Sequence, residues 1–454
     1  MEKNSLEVAK NDGMMTRRKF LWLTSMSAAG VAIGCAINPV TGEKQLMLVS
    51  EDQEVQLDKE NSPHQLSSDY GSLQDRALNN YVSGIGKKIV PHTQRPDMPY
   101  SFHGVNATYV NAYAFPGGTI AATRGILLKL DNEAEFAALM GHELGHVNAR
   151  HTAHQMSKGT LASLGLALLT GYMGTTKYAS YTELAMMLGQ LGAGALLASY
   201  SRDNERQADS LGNQYMVQAG YNTQGFVGLM EMLNSLSKRQ SAGFTDILFS
   251  THPMSDERYG TAIEMARSKH KASQSSSMGR ERYMDNTSRL RAIKGAIEKM
   301  QIGEMSMAQK KYGEAELHFQ SALQQAPGDY AGLLMMSKCL LAQKKESQAQ
   351  RYADKAKQVY PNEAQAFHLS GFAKIERGKF SSAYQDFRRY DRMLPGNPNT
   401  TYFKGRSLEG MGRKKQAANE YNRYLQTVQQ GPLAKHAYQN LVNWGYIKPG
   451  KKKR

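Results

Sequence analysis

The sequence predicts two folded units, an α+β domain that is mainly helical with a small sheet and, after it, an all-α solenoid. Three observations carry this. Pro327, Pro361 and Pro395 recur every 34 residues, in register with Ala315, Ala349, Ala383 and Ala417. Two β-like stretches, YSFHGVN and TYVNAYAFPGGTIAATRGIL, stand among helical patterns earlier in the chain. The length of 454 residues exceeds what a single core serves. With 41% hydrophobic and 21% charged residues, the composition is that of a folded protein and excludes a disordered one.

The chain opens with an export signal. Arg17, Arg18 and Lys19 precede fifteen uncharged, mostly apolar residues and then Cys35. A basic segment before an apolar run of this length is a secretory signal, too short for an ordinary membrane span. The Arg17-Arg18 pair with Phe20-Leu21 resembles a twin-arginine signal. Ala-Ile-Gly-Cys resembles a bacterial lipobox, with Ala32 in place of the usual Leu, so residues 1–35 are read as a signal peptide ending at a lipidated Cys35. The expected location is the periplasmic side of a bacterial envelope. Ala36, rather than Asp, after the cysteine favours the outer membrane by resemblance to enterobacterial sorting. Cys339 is the only other cysteine, so no intramolecular disulfide is available.

The net charge of +16 is uneven. Residues 280–454 carry 32 Lys/Arg against 15 Asp/Glu, whereas residues 36–279 carry 19 against 22. Export removes nucleic acid from the candidate partners, which leaves a membrane or envelope proteins for the basic half.

Residues 36–275 form the first domain. A lead-in with one acidic helix is followed by an amphipathic helix from Leu73 to about Val90, carried by Leu73, Ala77, Tyr81, Ile85 and Ile89. A strand pair comes next, with Pro116-Gly117-Gly118 as a turn or bulge in the second member. The following helix enters at Asn132, with Glu135 at capping-box spacing. Residues 161–200 contain two apolar, Gly-rich runs, each short of the ~20 residues a spanning helix needs. They read either as buried core helices or as a hairpin that dips into a membrane surface.

A linker helix, 276–295, leads to the repeats. Phe319, Phe387 and Tyr421 fall four residues after the repeat alanines, with Ala353 as the exception; Gly303, Gly371 and Gly405 lie twelve before them. This is the tetratricopeptide signature. Ala lets two helices approach, the aromatic fills between them, and Pro ends the second helix. Four repeats are read, 296–329, 330–363, 364–397 and 398–431. Residues 432–454 hold a capping helix, 433–445, and a basic tail.

The chemistry sits in MGHELGHVNARH, Met140 to His151. His142 and His146 are four apart and share one helical face, so both imidazoles reach one ion. Zinc accepts such nitrogens and keeps an open position with three protein ligands. Glu143 is then placed to take a proton from metal-activated water. Gly141 and Gly145 each cost a helix roughly 1 kcal/mol relative to Ala, which signals a close approach. His151, about 140° round a continuous helix from His146, is excluded as the third ligand, as is His154. The candidate is SRDNERQADSLG, where Glu205 can ligate while Asp209, four residues on, receives a ligand histidine's other nitrogen. The predicted fold is therefore an α+β zincin-type metalloprotease domain followed by an all-α tetratricopeptide solenoid.

HExxH with a downstream ExxxD resembles the gluzincin family that includes HtpX and the CAAX prenyl endopeptidase, and within it the secreted BepA-like branch with C-terminal tetratricopeptide repeats. The resemblance covers roughly residues 50–430. NAYAFPGGTIAATRGILL resembles the family's strand-turn-strand beside the active-site helix, and STHPMSDER, 250–258, its STHPxxxxR element. One departure is that HtpX-like relatives have true membrane spans, whereas the apolar runs here are too short. The resemblance implies an endopeptidase for unfolded or misassembled envelope proteins, using a single Zn2+ and docking protein partners through its repeats. The alternative is an assembly factor with latent proteolysis. A strand containing Asn111, Ala112, Tyr113, Pro116, Gly117 and Gly118 either pairs substrate backbone by β-augmentation or is an ordinary internal strand. His252 either stabilises the oxyanion, occupies the open metal position, or packs beside Pro253. Arg258 either orients this loop or helps the oxyanion. Membrane contact is expected through Cys35 and, in the hairpin reading, through 161–200.

Overall fold

The computed structural model describes residues 35–158, 200–238 and 245–448. Most of the expected signal peptide, the apolar segment up to residue 199 and the residues after 448 lie outside them. Cys35 opens a short hairpin of β1 (Cys35–Ile37) and β2 (Lys44–Leu46). In α1 (Glu51–Ser68) the Ser50 hydroxyl accepts from the Gln53 amide, while Gln53 reaches back to the Ser50 amide. This reciprocal cap satisfies two amides that a helix start leaves without partners. α2 (Arg76–Ile89) begins at Asp75, whose carboxylate accepts from the Ala77 and Leu78 amides. That cap sets the start three residues later than the periodicity suggested, and Leu73 is spent instead on the backbone of Gly104.

β3 (Ser101–Val105), β4 (Ala112–Ala114) and β5 (Thr119–Thr123) form a sheet in the order β3-β5-β4. β3 runs parallel to β5, and β4 antiparallel to it. The second stretch of the expected pair is thus itself a hairpin, turning at Pro116-Gly117-Gly118, and β4 ends the sheet. α1 presses on this turn. A Cβ on Gly117 would come 2.5 Å from the Asp58 Cβ, and Asp58 accepts from the Thr119 amide at 2.8 Å.

After the single turn α3 (Arg124–Leu127) comes α4 (Glu133–Asn148), buried along its whole length. Asn132 caps it by accepting from the Glu135 amide at 2.9 Å, and Glu135 reaches back to the Asp131 amide at 2.7 Å. α5 (Arg202–Gln218) crosses α4 at a spot where both helices have glycine. A Cβ on Gly141 would lie 2.6 Å from the Gly212 carbonyl oxygen; one on Gly145 would lie 2.9 Å from that of Ala208. α6 (Gln224–Lys238), α7 (Asp246–Thr251), α8 (Asp256–Arg267) and α9 (Arg280–Ala292) complete the first core. Tyr283 of α9 is fully buried, with its hydroxyl donating to the Leu127 carbonyl at 2.8 Å, so this helix packs as part of the domain it leaves.

The rest is stacked helix pairs. These are α10 (Lys294–Ala308) with α11 (Tyr312–Gln325), α12 (Tyr330–Ala342) with α13 (Glu346–Val359), α14 (Gln365–Glu376) with α15 (Phe380–Met393), and α16 (Pro398–Gly410) with α17 (Lys414–Thr427). α18 (Pro432–Asn443) follows. Phe319, Phe387 and Tyr421 each lie against the glycine of the partner helix, Gly303, Gly371 and Gly405. In the second pair Ala353 leaves room for Ser337, whose hydroxyl donates to the Ala349 carbonyl at 3.0 Å. Among the described residues no helix is long and apolar enough to cross a membrane.

The pairs dock on the first domain through buried polar groups. Arg124 at the end of β5 forms a two-pronged ion pair with Asp329, at 2.5 and 3.2 Å, both side chains being buried. Glu304 meets Thr108 and Tyr70, Glu363 meets Ser67 and Tyr330, and Gln301 donates to the Thr108 carbonyl at 2.6 Å. Lys338 reaches Tyr70, and burial pushes its ammonium down to about 8.

Two outcomes follow. Gly141→Ala should lower stability by about 1–3 kcal/mol through overpacking, despite alanine's better helix propensity; a raised urea midpoint would contradict the crossing. His368 is buried among Phe387, Tyr390 and Phe403, and burial pushes its imidazole down to about 3. The unfolded chain takes that proton near 6.5, so stability present above 6.5 is lost as pH falls towards 3, by up to about 1.4 kcal/mol per pH unit. His368→Leu should flatten that part of the stability curve.

Candidate metal centre

α4 presents His142 and His146 one turn apart, and the glycine crossing brings α5 close enough for Glu205 to face both. The two Nε2 atoms are 3.1 Å apart. Glu205 Oε1 lies 3.3 Å from His146 Nε2, and Oε2 lies 3.6 Å from His142 Nε2. His252, at the C-terminal end of α7, places Nδ1 3.1 Å from Glu205 Oε1 and 3.4 Å from His142 Nε2. One ligand atom from each of these four buried residues falls within 4.8 Å of all the others.

The outward nitrogens are engaged. His142 Nδ1 is 3.0 Å from Asp209 Oδ1, and His146 Nδ1 is 2.9 Å from His151 Nδ1. His151 Nε2 in turn lies 2.9 Å from Gln207 Oε1. Tyr200 stacks on the His146 ring at 3.8 Å and 20° between planes. Both Nε2 atoms are thereby turned inward. Two or three imidazole nitrogens with one carboxylate form a donor set that suits zinc, so the residues fit the ion that the motif implies.

Arg258 ties the acidic residues to the His252 loop. Its Nε and Nη2 donate to Asp209 at 2.6 and 2.7 Å, and Nη1 lies 2.7 Å from Glu205 Oε2 and donates to the Pro253 carbonyl at 2.9 Å. Burial works to raise both carboxyls. Arg258 outweighs it at Asp209, and the His252 charge with the histidine hydrogen bonds outweighs it at Glu205, so both are held below the ordinary range. Burial pushes His146 well down, while Glu205 raises His252 against the same burial. His151 is pushed down to about 4 by burial. Glu143 differs: burial dominates and raises its carboxyl, with His252 Nε2 3.9 Å from its Oε1. Its Oε2 has no hydrogen-bond partner among the described residues.

The structure thus brings together His142, Glu143, His146, Glu205, Asp209, His252 and Arg258. Asn111, Ala112, Tyr113, Pro116, Gly117 and Gly118 lie on or beside edge strand β4, and all six residues are buried. Tyr113 donates to Asp69 at 2.5 Å, as does Tyr109 at 2.8 Å. Cys35 starts β1. Sequence reasoning missed Tyr200 and the contact between His151 and His146. A continuous helical wheel separated the two histidines, but Arg150 takes φ 56° and turns the chain back. Nothing in NAR announces that turn; the third histidine of HELGHVNARH was the only signal.

The comparisons agree with this geometry. The model of peptidase family M48 matches residues 76–266, and a tetratricopeptide-repeat model matches 306–370. The beta-barrel assembly-enhancing protease of Yersinia pestis is 30% identical over 196 residues, covering 43% of this chain and 40% of its own. That of Escherichia coli K12 is 29% identical over 205 residues with the same coverage. Metalloprotease YcaL of Escherichia coli K12 is 30% identical over 206 residues, covering 45% of this chain and 72% of its own. The matched stretch spans about 40% of the length of the two assembly-enhancing proteases.

Arg258→Met should leave Glu205 and Asp209 buried without their cation. Breaking a buried pair costs roughly 3–5 kcal/mol, so the urea midpoint should fall clearly; an unchanged midpoint would show that the guanidinium does not hold this loop.

Proposed function

The chain belongs to peptidase family M48, and on that premise we propose that it is a zinc-dependent endopeptidase of the bacterial cell envelope acting on unfolded or misassembled envelope proteins. One observation carries this: His142, His146 and Glu205 converge from two helices, with the buried carboxyl of Glu143 beside them, its Oε2 without a hydrogen-bond partner among the described residues. His142, His146 and Glu205 would hold a single zinc ion, with Asp209 orienting His142. Bound there, zinc supplies a Lewis acid that polarises the scissile carbonyl and makes water acidic enough to attack near neutral pH.

Glu143 does the proton work. It takes a proton from the attacking water and returns it to the leaving amine, and burial, which raises its carboxyl, favours its holding that proton between the two transfers. β4, as the sheet's edge, is the strand assigned to pair an extended substrate backbone. Asn111, Ala112 and Tyr113 would lie along it, and the Pro116-Gly117-Gly118 turn would set its end. Arg258 acts as a positioning residue, since its donors are spent on Glu205, Asp209 and Pro253. The names of the relatives support an envelope setting. The repeats would bind protein partners there, and membrane contact would come through a lipidated Cys35 and, in the hairpin reading of the sequence, through 161–200.

The place of His252 supports a second reading, an assembly factor whose protease is latent. With His252 as a fourth ligand the site has the closed set of a structural zinc, and the position a catalytic zinc keeps open is filled. His252 then latches the enzyme until its loop moves.

Zinc content and casein hydrolysis on residues 36–454 test both readings. Wild type should hold a single zinc. Glu143→Gln should keep it and lose at least ~100-fold in rate, and Glu205→Ala should lose the metal. Cleavage by Glu143→Gln at the wild-type rate would remove the mechanism. If zinc-loaded wild type is silent, a gain of activity in His252→Ala supports the latch; continued silence favours the assembly factor.

A further inference from the structure

We infer that His151, backed by Gln207, sets the orientation of the His146 ring, and that the left-handed turn at Arg150 serves to put it there. This rests on the metallopeptidase reading of the same site.

α4 ends at Asn148, and the backbone at Arg150 takes φ 56° before helix resumes over 151–158. A side-chain-bearing residue adopts that conformation at a cost of about 1–2 kcal/mol, so something must hold it. Arg150 is 4% exposed, with Nε 3.1 Å from Glu54 Oε1 and Nη2 donating to the Val49 carbonyl at 2.8 Å. Glu54 is fully buried and also accepts from Arg95 at 2.7 Å. The turn is therefore clamped from α1. Its effect is specific: on an unbroken helix His151 would project about 140° away from His146, whereas here the two Nδ1 atoms are 2.9 Å apart.

The proton count then fixes the tautomers. If His146 offers Nε2 to a metal, its Nδ1 carries the hydrogen and needs an acceptor. His151 Nδ1 supplies one, which leaves the His151 hydrogen on Nε2, facing Gln207 Oε1 at 2.9 Å. Every link has one donor and one acceptor. Tyr200 stacked on the ring restrains its tilt but cannot tell one nitrogen from the other. His151 is the group that meets His146 Nδ1. His142 has a carboxylate for the same purpose, so the two ligand histidines are held by chemically different partners, Asp209 and a neutral imidazole–amide relay.

The test is the zinc dissociation constant, by chelator competition, for wild type, His151→Phe, His151→Asn and Gln207→Met, with the melting temperature of each metal-free protein. Removing such an outer partner typically costs 10–100-fold in metal affinity. His151→Phe should fall in that range, and His151→Asn, whose Oδ1 can stand near the lost Nδ1, should recover part of the loss. Gln207 is only half-buried, so Gln207→Met should fold and bind several-fold more weakly even if His151→Phe does not fold. Affinities of His151→Phe and Gln207→Met both within twofold of wild type would overturn the relay, as would an Asn variant no better than Phe. A wild type that binds no zinc would instead remove the metal reading itself.

Discussion

The close approach of α4 and α5 is the constraint on which the rest of the molecule depends. Neither helix alone holds a metal site, because His142 and His146 need a third group from elsewhere and Glu205 needs partners to be worth burying. The backbones come near enough only because Gly141 faces Gly212 and Gly145 faces Ala208. Glycines that weaken an isolated helix are thus what make the pair useful. Packing recovers the lost helix propensity by burying α4 along its whole length.

That approach creates an electrostatic problem, which the surrounding elements solve. Glu205 and Asp209 lie on the buried face of α5, and two buried like charges are tolerable only when compensated. Arg258 reaches both, and His142 and His146 face the same two carboxylates. The loop from His252 to Arg258 is therefore bound to the site through charge as well as through shape. The same logic recurs at the far side of the sheet. There Arg124, directly after β5, meets Asp329 of the repeats, and Asp69 receives Tyr109 and Tyr113 from the β4 hairpin. The stretch from Thr108 to Arg124, which carries β4, thus meets the repeat array at both ends, through Glu304 and Asp329.

Much of this was legible in the sequence because it is local or periodic. HExxH, ExxxD and STHPMSDER are short motifs whose residues share a face or a loop, and the 34-residue period reports helix pairs directly. Legibility stopped where a long-range contact set the conformation. The left-handed Arg150 depends on Glu54, almost a hundred positions earlier, and without it a helical wheel sends His151 the wrong way. Tyr200 stacks on His146 from 54 positions away, at the end of an apolar run with no periodic signature. The strand order β3-β5-β4 was hidden for a similar reason. Alternation marks strands, but it cannot say that β3 pairs in parallel across an intervening hairpin.

By itself the sequence determined the residue types, their helical spacing and the repeat period, since each follows from the geometry of a single helix or turn. It therefore identified His142, Glu143, His146, Glu205 and Asp209 as a coherent chemical set. Tertiary structure alone decided which nitrogen of each histidine faces inward, that His252 joins the cluster, and that Arg258 is spent on carboxylates. Those choices depend on which distant charges and rings are brought within about 3 Å in a water-poor interior, where an unpaired group is costly. Chain order does not encode such distances; only the packed fold does.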